Sequence, residues 1–136
     1  MRSILVFILS VLIISCDKTY NPTVVSARKE ASEIGVEIMK KGGNAYDAMI
    51  AVHLALAVAH PTAGNIGGGG FFVYYNSDGS SGSLDFREMA PGKAFKDMYL
   101  DKNGNVIPDM STLGGAAVGV PGSISAIFEI HSKFGT

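Results

Sequence analysis

Asn44-Ala45-Tyr46-Asp47-Ala48-Met49-Ile50-Ala51-Val52-His53-Leu54-Ala55-Leu56-Ala57-Val58-Ala59-His60-Pro61 leads, two residues later, into Gly64-Asn65-Ile66-Gly67-Gly68-Gly69-Gly70-Phe71-Phe72-Val73-Tyr74-Tyr75. Asn44 has the side chain of a helix N-cap, and Asp47 three residues on supplies a variant of the capping box. From Ala48 to Ala59 the only polar side chain is His53. A helix apolar on every face is expected to be buried on every face, and its many alanines let neighbouring backbones come close. Pro61 stops it. His53 reads as a core residue hydrogen-bonded to backbone rather than as a catalytic group, and His60 as a favourable charge at a helix C-terminus.

The glycine loop resembles a phosphate cradle only superficially. A Walker loop needs Lys and Ser or Thr after its last glycine, where this chain has Gly70-Phe71. A dinucleotide loop needs a strand before it and a helix after it, whereas here the order is helix, loop, strand. Four consecutive glycines suit a backbone that passes close to another backbone, or takes positive φ, while entering a sheet. Phe71–Tyr75 and Ser83–Arg87, separated by Asp78-Gly79 and Gly82, predict a hairpin. Tyr99-Leu100 and Val106-Ile107 around Asn103-Gly104 predict a smaller one. After Val120-Pro121-Gly122, the series Ile124, Ile127, Phe128, Ile130 and His131 predicts a last helix beginning near Ser123.

Upstream, Ala27, Ala31, Ile34 and Ile38 recur at helical spacing from a candidate N-cap at Ser26, with Lys29–Glu33 and Glu37–Lys41 pairs on the wet side and Gly42-Gly43 at the end. The chain opens differently. Arg2 precedes Ile4–Ile14, eleven residues with Ser10 as the only polar one, and then Ser15-Cys16. This is the pattern of an export signal. An eleven-residue helix reaches roughly 17 Å, short of a hydrocarbon core of about 30 Å, so a permanent span is not expected. Ile13-Ile14-Ser15-Cys16 resembles the lipobox of bacterial lipoproteins, in which the signal is cut before a Cys that becomes the lipidated N-terminus. The alternative is an ordinary secretory signal with a buried or free thiol. The expected organisation is a signal over residues 1–15, a lipidated Cys16 with a tether over 16–25, and a folded part over 26–136. The expected location is a membrane surface facing the periplasm or exterior.

Composition narrows the rest. The 136 residues carry 11 Lys plus Arg against 12 Asp plus Glu, and 47% are hydrophobic. No basic stripe is present that could neutralise a row of phosphates, which disfavours nucleic acid. One Cys cannot form an internal disulfide, and His53, His60 and His131 are too scattered for a metal site, so no metal or cofactor is expected. These residues specify an exported α/β domain of about three helices and a few strands. By themselves they name no reaction, because no Ser-His-Asp, Cys-His or carboxylate pair assembles from them. The densest charged group is Asp85, Arg87 and Glu88, with Asp85 and Arg87 expected on one face of a strand. Taken alone, it reads as a local salt bridge at a strand end.

Gly42-Gly43-Asn44-Ala45 with Asp47-Ala48, His60-Pro61 with Gly64–Phe71, Asp85-Phe86-Arg87-Glu88 with Ala90-Pro91, and Gly119-Val120-Pro121-Gly122 together resemble the γ-glutamyltranspeptidase family, in order and in spacing. The resemblance runs from about Ala27 to Thr136. It implies part of the αββα N-terminal nucleophile hydrolase fold, namely the helices and a few strands of the large subunit. It also implies γ-glutamyl transfer or hydrolysis on donors such as glutathione, and a precursor that cuts itself into a large and a small subunit.

In that family the nucleophile is a Thr that becomes the N-terminus of the small subunit, with its own α-amine as general base. Thr19, Thr23, Thr62, Thr112 and Thr136 lie in the wrong region, so no catalytic residue is expected in this chain. It is expected to be a fragment or a prematurely ended product, inactive without the rest of the large subunit and the small subunit. Arg87 matches the family's Arg for the donor α-carboxylate, a contact suited to the planar guanidinium fork. Asp85 or Glu88 is expected to orient it. An α-carboxylate contact favours a γ-glutamyl donor over the cephalosporin side chains taken by acylases of the family, and leaves glutathione and poly-γ-glutamate both open. The other expectation is an inactive lipoprotein in which the segment keeps a structural or binding role.

Overall fold

The computed structural model describes residues 21–136, so the expected signal segment, Cys16 and residues 17–20 of the tether lie outside the described residues. The elements are α1 (Lys29–Lys40), α2 (Ala45–Ala59), β1 (Phe71–Tyr75), β2 (Ser81–Asp85), a 3-10 turn at Gly115–Ala117 and α3 (Ser123–Phe134). No helix among them is long and apolar enough to cross a membrane.

Helix α1 carries the expected ion pairs, Lys29 with Glu33 at 3.4 Å and Lys41 with Glu37 at 2.6 Å. Two expectations are corrected. Ser26 is not the N-cap: that position is Arg28, while the Ser26 hydroxyl donates to the Arg28 carbonyl at 2.7 Å and bonds the Ser32 hydroxyl at 2.8 Å. The buried stripe is Ala31, Gly35 and Met39, one turn apart each, and Ile34 is left 40% exposed. Gly35 decides this. A Cβ there would lie 2.7 Å from Val52 Cγ2 and 3.1 Å from Val24 Cγ1, so α2 and the preceding strand of chain nest into the space a side chain would fill.

The link to α2 is short and closed by backbone bonds. Gly42 has φ +101°, the left-handed conformation that suits glycine after a helix. Gly43 N–H donates to the Ile38 carbonyl and Gly42 N–H to the Met39 carbonyl, both at 3.1 Å, which is the Schellman pattern. The capping box on α2 is complete: Asn44 Oδ1 accepts from Tyr46 N–H at 2.8 Å and Asp47 N–H at 3.1 Å, while Asp47 Oδ2 accepts from Asn44 N–H at 2.9 Å. The same two side chains hold the far end of α3. Asn44 Nδ2 donates to the Phe134 carbonyl at 2.6 Å, and the Thr136 hydroxyl donates to Asp47 Oδ2 at 2.6 Å. That Thr136 bond, with the Asn44 amide, holds the Asp47 carboxyl below its usual pKa.

α2 is not buried all round by the described residues. Ala48 and Val52 are buried against α1, but Leu54 and Val58 are 46% and 84% exposed, because the described residues offer partners on only some of its faces. The expectation for His53 is also corrected. Its Nε2 is buried with no hydrogen-bond partner among the described residues, and burial lowers the pKa of the ring.

β1 and β2 form an antiparallel hairpin, Phe71 opposite Asp85 and Tyr75 opposite Ser81. Its inner row, Phe72 and Tyr74, meets Tyr46 from α2 edge-on and Phe134 from α3 at a tilt, at centroid separations of 4.9 to 6.4 Å, while Tyr46 and Phe134 stack on each other at 4.7 Å. Phe71, Val73 and Tyr75 face outward and are exposed. The second predicted hairpin is reduced to one bridge, Leu100 with Val106, closed by Gly104 at φ +83°. The last helix begins at Ser123, as its periodicity predicts.

Candidate functional site

The hairpin delivers the charged group to a cleft. β2 ends at Asp85, two residues earlier than the pattern predicts, so Asp85 and Arg87 do not share a strand face. Asp85 Oδ1 instead accepts from the Arg87 backbone N–H at 3.0 Å, a local turn that ends the pairing and redirects the chain. No ion pair joins the two side chains among the described residues. The Arg87 guanidinium meets Glu88 Oε2 through Nε at 4.0 Å, at the limit of an ion pair, with Arg87 66% and Glu88 39% exposed. Its Cζ lies 6.0 Å from the Phe71 ring centroid. The expected salt bridge at a strand end is therefore a long, solvated Arg87–Glu88 contact, of a kind worth little.

Leu84, Asp85, Phe86, Arg87 and Met89 form one wall of a cleft of about 330 Å³, and Val120 and Pro121 before α3, with Ser125 and Glu129 on it, form the other. Arg87 is among the lining residues. Met89 and Val120 exchange two backbone bonds, 3.1 and 2.8 Å, so the walls are stitched together at one end. Glu129 is itself held by Lys133 at 2.6 Å, which also raises the pKa of the lysine. The Arg87 terminal nitrogens make no hydrogen bond to the described residues, which leaves a two-pronged donor for an anionic group.

The glycine loop does what close-approach glycines do. A Cβ on Gly69 would lie 2.5 Å from the Phe86 carbonyl oxygen and 2.7 Å from Arg87 Cα. Asn65 Oδ1 accepts from Gly67 N–H at 2.9 Å, and its Nδ2 donates to the Pro61 carbonyl at 3.2 Å, fixing the loop entrance. One polar group escaped the sequence reading. Ser123 is 2% exposed, and its hydroxyl donates to the Gly68 carbonyl at 3.0 Å. The only signal for it was its place directly after Pro121-Gly122, which also fits an ordinary helix start.

A hairpin packed on helices through one face, with the other face open, is one part of an αββα N-terminal nucleophile hydrolase. The chain superposes on the gamma-glutamyltranspeptidase of Helicobacter pylori with a TM-score of 0.80 and 49% identity, over 89% of this chain and 35% of that one. For the gamma-glutamyltranspeptidase of Pseudomonas nitroreducens, solved in complex with L-DON, the values are 0.78 and 44%, over 90% and 35%. The fold class expected from the resemblance is thus present in part.

The family profile described as Gamma-glutamyltranspeptidase matches residues 31–136, and the chain belongs to that family. A relative named glutathione hydrolase proenzyme, from Pseudomonas sp. strain A14, is 55% identical over 116 residues, which is 85% of this chain and 20% of the relative. The chain spans about a fifth of the length of such relatives.

Proposed function

We propose that this segment forms the donor-binding side of a γ-glutamyl transfer or hydrolysis site, in which Arg87 holds the α-carboxylate of a γ-glutamyl donor such as glutathione. The observation that carries it is that Arg87 lines the 330 Å³ cleft and that its terminal nitrogens are free of protein acceptors among the described residues. A carboxylate offers two oxygens in a plane, matching the fork, and the long, solvated contact with the flanking glutamate does not neutralise it. Relatives named glutathione hydrolase support the donor class. The Thr nucleophile comes, in this proposal, from the small subunit, and the chemistry is completed by the rest of the large subunit and that partner.

The proposal extends to location. Arg2, the apolar run Ile4–Ile14 and Ile13-Ile14-Ser15-Cys16 support a signal over 1–15, lipidation at Cys16 and a tether to residue 25. The protein would then be exported and held on a membrane by its acyl chains.

The test is a hybrid in which residues 31–136 replace the matching segment of the Pseudomonas sp. relative. Arg87→Gln should lower kcat/KM for a free γ-glutamyl donor at least thirtyfold and leave self-cleavage intact. On a donor with an amidated α-carboxyl, where that contact is already lost, it should cost less than threefold. Arg87→Lys should rescue only part, since an ammonium keeps the charge without the fork. Equal losses on both donors would make Arg87 a structural residue. An unsubstituted hybrid that folds and cleaves but turns over no donor would favour the inactive, structural role.

A further inference from the structure

Phe86 and Arg87 are held between two glycines from distant parts of the chain. On one side, a Gly69 Cβ would sit 2.5 Å from the Phe86 oxygen, 2.7 Å from Arg87 Cα and 2.9 Å from the Arg87 carbonyl carbon. On the other, a Gly122 Cβ would sit 2.1 Å from the Phe86 oxygen and 2.8 Å from its carbonyl carbon. Every one of these neighbours is backbone, which cannot swing aside as a side-chain tip can. Nor is backbone conformation the reason for glycine at 122, since its φ of −101° and ψ of −15° are open to any residue. The requirement is for space.

The two jaws are bonded to each other. The Gly68 carbonyl accepts from Gly122 N–H at 3.0 Å, Ser123 N–H at 3.1 Å and the Ser123 hydroxyl at 3.0 Å, so one oxygen ties the loop to the first turn of α3. Phe86 N–H donates to the Gly70 carbonyl at 3.0 Å, which fixes the clamped segment along the same loop.

We propose that Gly69 and Gly122, joined through the Gly68 carbonyl and Ser123, are positioning residues that set the place of Arg87 against the donor α-carboxylate. This rests on the reading of Arg87 given above. Arg87 has an exposed side chain with only a 4.0 Å ionic contact, so its aim is set by its backbone. A methyl group at either glycine displaces that backbone by far more than a two-point carboxylate contact tolerates. The glycines touch no substrate; they act through Arg87.

In the hybrid enzyme, Gly122→Ala should raise KM for the free donor at least tenfold, with kcat changed less than threefold and the amidated donor affected less than twofold. In an Arg87→Gln background the same substitution should cost less than twofold further, because the group it displaces is gone. A loss equal on both donors, or a full loss repeated in the Arg87→Gln background, would overturn the proposal and leave the glycines as packing residues. If Gly122→Ala yields no soluble enzyme, Ser123→Ala decides. It removes one of the three bonds to Gly68 without adding bulk, and a twofold to fivefold rise in KM confined to the free donor is expected. No change, or an equal change on both donors, would overturn the proposal. Failure of the donor reading would look different: Arg87→Gln alone would then leave the preference for free over amidated donor intact.

Discussion

Replacing Asn44 with Ala should loosen the start of α2 and the end of α3 together. The side chain makes three contacts: Oδ1 accepts from the Tyr46 and Asp47 amides, and Nδ2 donates to the Phe134 carbonyl at 2.6 Å. Loss of an N-cap costs about 1 kcal/mol, and loss of one further half-buried hydrogen bond about 1 kcal/mol more. Together, about 2 kcal/mol corresponds to roughly a thirtyfold change in a local opening equilibrium. Amide hydrogen exchange in the hybrid enzyme, read on peptides covering residues 45–48 and 131–136, should therefore accelerate by that factor in both places. Asn44→Ser keeps a cap oxygen but cannot reach Phe134, so it should accelerate exchange at both places by only about fivefold, for a loss near 1 kcal/mol. An acceleration below about threefold at both places, or one confined to residues 45–48 in Asn44→Ala, would refute the claim that one side chain holds both helix ends.

Three further outcomes are expected. Because the folded Asp47 carboxyl lies below its usual value of 3.8, its contribution is complete above that pH and is lost as pH falls through the folded value; protection of residues 45–48 should be flat at neutral pH, fall below about pH 4, and lose that acid step in Asp47→Asn. His53 has its pKa lowered by burial, so its folded state favours the neutral ring, stability from this group should decline as pH falls below 6.5, and an NMR titration should give a value under 6.5. A value at or above 6.5 would mean that Nε2 has an acceptor. Cys16→Ser should abolish acyl labelling and detergent partitioning of the exported protein, and equal labelling of the variant would remove the lipid anchor from the proposal.

What the sequence makes legible depends mostly on near neighbours. The Asn44–Asp47 box, the Gly42 exit from α1, the Lys29–Glu33 pair and the first hairpin each involve residues close along the chain, and all are present. The buried side of α1 was misjudged because periodicity weighs Ile34 above Gly35, whereas packing used the gap at Gly35 to admit Val52 and Val24. The strand end was misjudged because Asp85 turns the chain with its own side chain, a local event that hydrophobic alternation does not register. Arg87 was found through family resemblance; its charge pattern alone suggested a salt bridge. Its surroundings were out of reach of any local rule, since the Gly68–Ser123 bond spans 55 positions.

The same difference in span sets an order of assembly. The α1–α2 pair is joined by a four-residue link whose caps are satisfied internally, so it forms by local search on the time scale of helix pairing. The Asn44–Phe134 bond closes a separation of 90 residues, and each doubling of loop length adds about 0.6 kcal/mol of closure entropy. Growth from a ten-residue to a ninety-residue closure therefore costs about 2 kcal/mol before any contact returns it. The helical hairpin should be the early platform, and the cleft holding Arg87 a late product that exists only once α3 has docked. Mutations within residues 29–59 would then change how fast the protein assembles, whereas those at the start of α3 would chiefly change how quickly a finished cleft comes apart.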